Sequence, residues 1–250
     1  MTLSAGVFIV VMAFLTAALS GVFGMAGGLV LKGALALVLP VSATFVAHGL
    51  LQLTANGWRA ILHRRHVAWP IVGLYALGAF AAAAIAGLIP LEPSRATLYL
   101  FMGLVPGLVW IPQGWLRLDA SRPLQAVACG LSVTGVNLTA GVAGPVLDVF
   151  FVRTALTRHQ IVATKAATQV FSHLMKIVVY GAPLVALHGR GLPPAWVFAL
   201  AVPLSMLGTA AGGLALDRLS DVNFKRWLRW ILTAIGLLYL VQAARLFALG

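Results

Sequence analysis

Two stretches of the chain place polar side chains along one face of a helix, inside segments that are otherwise apolar. In each stretch the polar residues follow at steps of four, four and three, which is one stripe of an α-helix. Imidazole, amide and cationic groups of this kind can bind an anion that has several acceptor oxygens. We call the stripes the first and second polar ladders, and each member of the second lies 117 residues after its counterpart in the first: His48, Gln52, Asn56 and Arg59 correspond to Lys165, Gln169, His173 and Lys176.

A glycine-rich break precedes each ladder, and the same offset relates the two breaks. The first break contains Gly24, Gly27 and Gly28, and the second contains Gly141 and Gly144. Glycine lets the backbone turn and lets a ligand or another helix approach closely. The chain therefore carries an internal duplication in which a broken helix is followed by a polar helix, and we predict substrate contacts at both breaks and both ladders.

A side chain that can form hydrogen bonds stands before each break, at matching positions. Ser20 precedes the first break and Asn137 the second, so both join the predicted substrate-binding residues. Two structural alternatives remain open at this stage. The glycines could serve close helix crossings, and the amides Gln52, Asn56 and Gln169 could bond helix to helix.

The composition excludes a soluble domain. Hydrophobic residues make up 61% of the 250 positions, charged residues make up 9%, and the mean hydropathy is +1.01. The apolar runs approach the ~20 residues that a membrane-crossing helix needs, and they lack the alternation of a barrel strand. The net charge of +12 gathers at segment ends, as in membrane proteins, so we expect a lipid bilayer partner and no nucleic acid.

Ten apolar segments predict an all-α integral membrane protein. Two of them are too short to cross, and each short segment follows a glycine break, so it could complete a re-entrant hairpin. The predicted segments are 4 to 23, 27 to 39, 43 to 62, 68 to 89, 95 to 112, 124 to 140, 145 to 152, 160 to 181, 194 to 215 and 227 to 248.

The distribution of basic residues favours the hairpins. With both hairpins re-entrant, only Arg95, Arg190 and Arg245 among loop and terminal basic residues face away from the cytoplasm. Each half is then one hairpin plus three crossing helices, and this odd number of crossings makes the chain an inverted-topology repeat. We predict one membrane transport domain over residues 1–250, with repeat 1 at about 1–115 and repeat 2 at about 122–250.

The predicted membrane interior leans positive. Asp148 is the one clearly intramembrane carboxylate, against several potential cations. We expect it to neutralise Lys32 or Lys165 in preference to relaying protons, and Asp148 and His173 are the candidate coupling residues. Arg59 and Lys165 could instead snorkel to headgroups, because both lie near helix ends. We expect neither a metal site nor a cofactor, since a single cysteine and few carboxylates offer poor metal ligands.

The residues also carry a family resemblance. The broken segments GVFGMAGG and GVNLTAGVAGP, each followed by a polar helix, AHGLLQLTANGWRA or ATKAATQVFSHLMK, resemble the sulfite exporter TauE/SafE family over nearly the whole chain. The resemblance implies a multi-pass carrier of the bacterial inner membrane for sulfite, sulfoacetate or related anions. Pro145 stands where members often have a glycine, and Lys165 and His173 match no assigned consensus.

The leading functional prediction is a secondary transporter that exports a small anion by alternating access. A metal-cation carrier is the alternative, and an intramembrane enzyme is less favoured because Ser172 and His173, as sequence neighbours, diverge on one helix. The sequence leaves open the anion, the direction, proton or sodium coupling, and whether the chain forms a homo-oligomer.

Overall fold

The computed structural model describes residues 1–23, 26–89, 93–112, 115, 118–186, 191–216 and 221–248. Within these ranges the chain is helical and has no strand, as the apolar runs predict. The predicted segment order is reproduced, with ten α-helices and two 3-10 segments. The chain is therefore an all-helical protein whose breaks between helices fall where glycine, proline and charged residues interrupt the apolar runs.

Five helices form the first half of the chain. The longest of them, α3, starts after Pro40 and carries the first ladder, while α5 is capped by Ser94, whose hydroxyl accepts a hydrogen bond from the Thr97 amide. A 3-10 segment that includes Pro106 continues α5, at the proline where a kink is expected. The helices are α1 at Leu3–Phe23, α2 at Ala26–Val38, α3 at Val41–Leu62, α4 at Trp69–Gly87 and α5 at Arg95–Leu104, with 3-10 segments at Arg64–His66 and Val105–Trp110.

Five further helices form the second half of the chain, in the same order as the first five. The short helix α7 follows the second glycine break, and α8 carries the second ladder. Prolines occupy the first turns of α6 and α7, where a missing N–H leaves no hydrogen bond unmade. The helices are α6 at Pro123–Thr139, α7 at Gly144–Phe151, α8 at Arg158–Ala186, α9 at Ala195–Leu216 and α10 at Asp221–Ala248.

Four of the described helices are long and apolar enough to cross a membrane by themselves: α1, α4, α9 and α10. Helices α3 and α8 are long enough as well, with 22 and 29 residues, but their ladders lower their hydropathy. Because α3 and α8 pack against each other, their polar faces can be hidden from lipid. The protein is therefore a multi-pass membrane protein with its two polar helices together inside.

The helices pair across the two halves of the chain. Helix α1 packs along α9, α4 packs along α6, α3 along α8 and α5 along α10. In terms of the sequence duplication, the first helix of each half lies on the fourth helix of the other half. Apolar clusters fill the spaces between the pairs, and one of them encloses the fully buried, free Cys129 together with Tyr75, Val133 and Phe151.

Glycines allow the closest of these crossings. A Cβ atom built on Gly78 of α4 would overlap the carbonyl oxygen of Val127 on α6, and one on Gly130 of α6 would overlap the carbonyl of Tyr75. Backbone atoms cannot swing aside as a flexible side chain can. The two helices therefore touch through their backbones, and any larger residue at these points must separate them.

We predict that Gly78→Ala lowers the free energy of unfolding by about 1–3 kcal/mol, the usual cost of overpacking. Gly73→Ala on the same helix is the matched control, because a Cβ there meets no atom within 4 Å. The control should be neutral or stabilising by roughly 0.5–1 kcal/mol, since alanine favours the helix. Thermal unfolding of both variants in detergent checks the difference, and equal midpoints would contradict the packing.

Candidate functional site

The polar ladders of α3 and α8 face each other across a cavity of about 100 Å³. Seven of the eight ladder residues line it, and Lys176 lies behind the wall. The rest of the lining comes from the glycine breaks and from α7. The polar or glycine residues of the lining are Gly28, His48, Gln52, Asn56, Arg59, Gly144, Lys165, Gln169 and His173, and the apolar ones are Val142, Ala143, Leu147, Val162 and Ala166.

Both short helices begin beside this cavity. Gly28 lies in the first turn of α2, and Ala143 and Gly144 are at the start of α7. The first amide N–H groups of a helix have no partner within it, and the helix dipole places partial positive charge at that end. The two breaks therefore bring backbone donors and a positive potential to the space between the ladders.

The first ladder is ordered by hydrogen bonds along α3. The side-chain amide of Asn56 donates to the backbone oxygen of Gln52 at 3.0 Å and to its side-chain oxygen at 3.3 Å. Gly28 leaves room for this glutamine, because a Cβ there would lie 3.3 Å from the same side-chain oxygen. Part of the amide chemistry is thus used within α3 itself and not between helices, and both side chains still line the cavity.

The second ladder begins with an ion pair. Lys165 of α8 donates to a carboxylate oxygen of Asp148 on α7, and about a quarter to a third of each side chain is exposed. This is one of the two pairings that the sequence predicts for Asp148. The pair neutralises Lys165 and ties α7 to α8, so Arg59 is left as the unneutralised cation among the described lining residues.

Two lining side chains keep unused donors. One guanidinium nitrogen of Arg59, Nη2, and the amide nitrogen of Gln169 are buried without a hydrogen-bond partner among the described residues. An unmade hydrogen bond of a buried donor is costly, so a ligand with acceptor oxygens would be stabilised here. Arg59 is half-buried and lines the cavity.

His48 on the cavity wall and Lys176 behind it connect the two glycine breaks. The Lys176 ammonium donates to the Gly141 carbonyl at 2.7 Å and to Nδ1 of His48 at 3.0 Å. The other ring nitrogen of His48, Nε2, lies 2.9 Å from the Gly28 carbonyl. Because Nδ1 accepts and Nε2 faces an acceptor, these contacts assign the neutral imidazole with its proton on Nε2. One chain of hydrogen bonds thus runs from break to break.

The residues that precede the breaks lie outside the cavity lining. Asn137 donates to the Ser172 hydroxyl at 2.8 Å and lies 3.5 Å from Nδ1 of His173, while its own side-chain oxygen is buried without a partner. The Ser20 hydroxyl is likewise buried and unpartnered. It abuts Gly27, where a Cβ would also overlap the Thr16 carbonyl, so Gly27 serves the close packing of α2 on α1.

The predicted site residues therefore fall into three groups. Nine lie on the cavity wall, as described above. Ser20, Gly27, Asn137, Gly141 and Lys176 lie behind it around the breaks, and Asp148 is held by Lys165. Gly24 lies outside the described residues.

The sequence did not predict that Lys32 and Phe45 lie together beside the site. Lys32 is fully buried, and its ammonium lies 3.1 Å from the centre of the Phe45 ring, with no hydrogen-bond partner among the described residues. The offset that found the ladders could not find this lysine, because the position 117 residues later holds Val149. A lone lysine in the apolar α2 was the available signal, and it was interpreted only as a charge for Asp148 to neutralise.

The fold and the cavity define a class: a multi-pass helical membrane protein with a basic, hydrogen-bonding cavity between its two polar helices. The family model for the sulfite exporter TauE/SafE family matches residues 9–239, and the chain belongs to that family. Members are membrane exporters of sulfite and related sulfur anions, so the family is one of transporters. Neither the curated proteins nor the solved structures include a match to this chain.

Proposed function

We propose that the chain is a secondary transporter that exports sulfite, or a related sulfur-containing or organic anion such as sulfoacetate or another sulfonate, by alternating access. The observation that carries the proposal is the cavity itself. It is lined from both ladders, it holds the unpartnered donors of Arg59 and Gln169, and its described lining contains no carboxylate. Such a lining favours an anion with several oxygen acceptors over a metal cation.

The size of the cavity favours a compact substrate. About 100 Å³ is smaller than a cavity of ~150 Å³ that can hold benzene, a ligand with six heavy atoms. Sulfite has four heavy atoms, whereas sulfoacetate has twice as many. The larger sulfonates would therefore need a wider state of the same cavity.

Alternating access by an inverted-topology repeat is the mechanism that we propose. The pairing of α1 with α9 and of α6 with α4 supports it, because exchanging the two halves converts one pair into the other. Helices α3 and α8 are the third helices of the two halves, and α5 and α10 are the fifth. Exchanging the halves therefore leaves the α3–α8 pair and the α5–α10 pair unchanged. Under this proposal each glycine break is the tip of a re-entrant hairpin, and the substrate binds where the two tips meet.

Export requires no coupling ion in this mechanism. An anion that leaves a negative interior gains about 2.3 kcal/mol per charge for each 100 mV of membrane potential. We therefore propose an electrogenic uniporter in the bacterial inner membrane. His173 and Asp148 would take coupling roles only if transport also required a proton gradient.

Flux measurements in proteoliposomes test this function. Vesicles would be loaded in turn with sulfite, sulfoacetate, sulfate and acetate, and a membrane potential imposed with and without a pH gradient. We expect sulfite efflux to follow the potential alone. Flux that appears only with the pH gradient would replace the uniporter by a coupled carrier, and no flux of any anion would reject anion transport.

A substitution of Arg59 tests whether this side chain binds the transported anion. Arg59→Met should raise the sulfite concentration for half-maximal transport by roughly ten- to a hundredfold, because a hydrogen bond from a charged group contributes about 1.5–3 kcal/mol. Arg64→Met is the matched control, since Arg64 is exposed just after the same helix. If Arg59 were only an interfacial anchor, the two variants would behave alike.

A further inference from the structure

Among the residues that the structure describes, Lys32 has no counterion. Its side chain is completely buried between α2, the Phe45 ring and the second glycine break. The Phe45 ring is itself fixed by stacking on Tyr180, with the ring centres 4.1 Å apart. A cation over a ring face is attracted to it, but the ring accepts none of the three ammonium hydrogen bonds. The described residues leave this donor unused.

A second ammonium group lies beside the first. Lys176 is 5.9 Å from the centre of the same Phe45 ring, which places the two nitrogens no more than about 9 Å apart. Both side chains also meet at Gly141, where Lys176 binds the carbonyl oxygen and Lys32 abuts the α-carbon. In the part of the chain that the structure describes, the one ion pair recorded for Asp148 is with Lys165, and neither buried lysine has a carboxylate partner.

His48 separates this pair of lysines from the cavity. Its ring lines the cavity, and its Nδ1 binds Lys176, which does not line it. The His173 ring, 5.7 Å away, completes this part of the wall. An anion in the cavity would reach the lysines when His48 and Lys176 part, and it could then replace His48 as the partner of Lys176.

We propose that Lys32 and Lys176 form a second, inner subsite for an oxyanion, which is occupied after the cavity when His48 releases Lys176. This inference rests on the proposed anion transport and adds the step that follows binding in the cavity. The unpartnered ammonium of Lys32 supplies the charge, and Gly141, which has no Cβ, lets the Lys32 side chain lie against the second glycine break. Arg59 would thus contribute to the first binding of the anion in the cavity, and Lys32 to its later movement through the protein.

Separate measurements of binding and flux on Lys32→Met test the proposal. Equilibrium binding of radiolabelled sulfite to the purified variant reports on the cavity, and sulfite efflux from proteoliposomes reports on passage. We expect the dissociation constant to stay within about threefold of wild type and the maximal efflux rate to fall at least tenfold. Methionine keeps the buried stem of the side chain, so the fold is retained. Leu37→Met on the exposed face of α2 is the matched control.

The other outcomes have distinct meanings. Wild-type efflux in Lys32→Met would overturn the inner subsite and leave the proposed function intact, whereas absent efflux in the wild-type protein would reject the function itself. Loss of binding and efflux together, with an unchanged unfolding midpoint, would place Lys32 in the first binding step and overturn the two-step order. Should Lys32→Met fail to fold, Phe45→Leu offers a second route. This substitution removes the ring that contacts Lys32. The maximal rate of sulfite efflux should then change while the dissociation constant for sulfite stays the same.

Discussion

Replacing Lys176 by methionine is expected to reduce sulfite transport at least a hundredfold while the protein still inserts and folds. The lysine donates to His48 and to the Gly141 carbonyl, so the variant leaves two buried acceptors unpaired. Loss of both bonds frees His48 and the second glycine break from their present positions, and a rise of about 2.8 kcal/mol in the barrier to transport corresponds to a hundredfold. Under the two-step proposal, the inner subsite also loses one of its two charges.

The stability of the Lys176→Met variant should change much less than its transport. Exchange of a buried charge for an apolar side chain of similar length removes a desolvation cost, and this gain offsets the loss of the hydrogen bonds. Sulfite efflux and thermal unfolding would be measured on the same preparation. Leu174→Met is the matched control, because Leu174 lies two residues away on the exposed face of α8.

Normal transport by Lys176→Met would remove this lysine from the mechanism. A large fall in the unfolding midpoint would give a different answer, namely that the bridge between the glycine breaks is structural. His48→Asn separates these readings further. An asparagine side chain can still accept from Lys176 but cannot span to the Gly28 carbonyl as the ring does.

The helices and the polar ladders could be predicted because each depends on a pattern within one short stretch of sequence. An apolar run bounded by glycine or proline predicts its own limits, and α2 was expected at 27 to 39 and is found at Ala26–Val38. Where charges occupy a helix end the prediction was too short, as for α10, which begins at Asp221 and was expected from 227. The ladder spacing alone predicted that His48, Gln52, Asn56 and Arg59 share one face.

The partners of the buried charges could not be predicted in the same way. Asp148 had two candidate lysines, and the choice of Lys165 depends on how α7 packs beside α8. The contact of Lys176 with His48 joins residues 128 positions apart, on helices whose rotation about their axes the spacing does not set. Lys32 has no counterpart in the duplication, so a search for repeated positions passes over it.

The second glycine break should also be sensitive to substitution, for a backbone reason. Gly141 has a φ of +78°, in the left-handed region that costs other residues roughly 1–2 kcal/mol. A Cβ at this position would also overlap the Lys32 side chain. We expect Gly141→Ala to lower the free energy of unfolding by about 2–4 kcal/mol, from backbone strain and overpacking together.

Transport by Gly141→Ala should fall at least tenfold, because the Gly141 carbonyl that holds Lys176 must shift with the strained backbone. Gly135→Ala on α6 is the matched control, since a Cβ there meets no atom within 4 Å. Unfolding in detergent and sulfite efflux would be measured for both variants. A Gly141→Ala protein with wild-type stability and efflux would contradict the observed conformation of the break.

A double-mutant cycle with Lys32→Ala separates the two causes. Shortening Lys32 clears the space that the new methyl group needs, but it leaves the left-handed φ at position 141 unchanged. If overlap dominates, Lys32→Ala should recover most of the stability that Gly141→Ala loses, and the coupling energy should exceed about 0.5 kcal/mol, as for residues in contact. If strain dominates, the two effects should add. Either result would say whether the break is held by its own backbone or by the lysine packed against it.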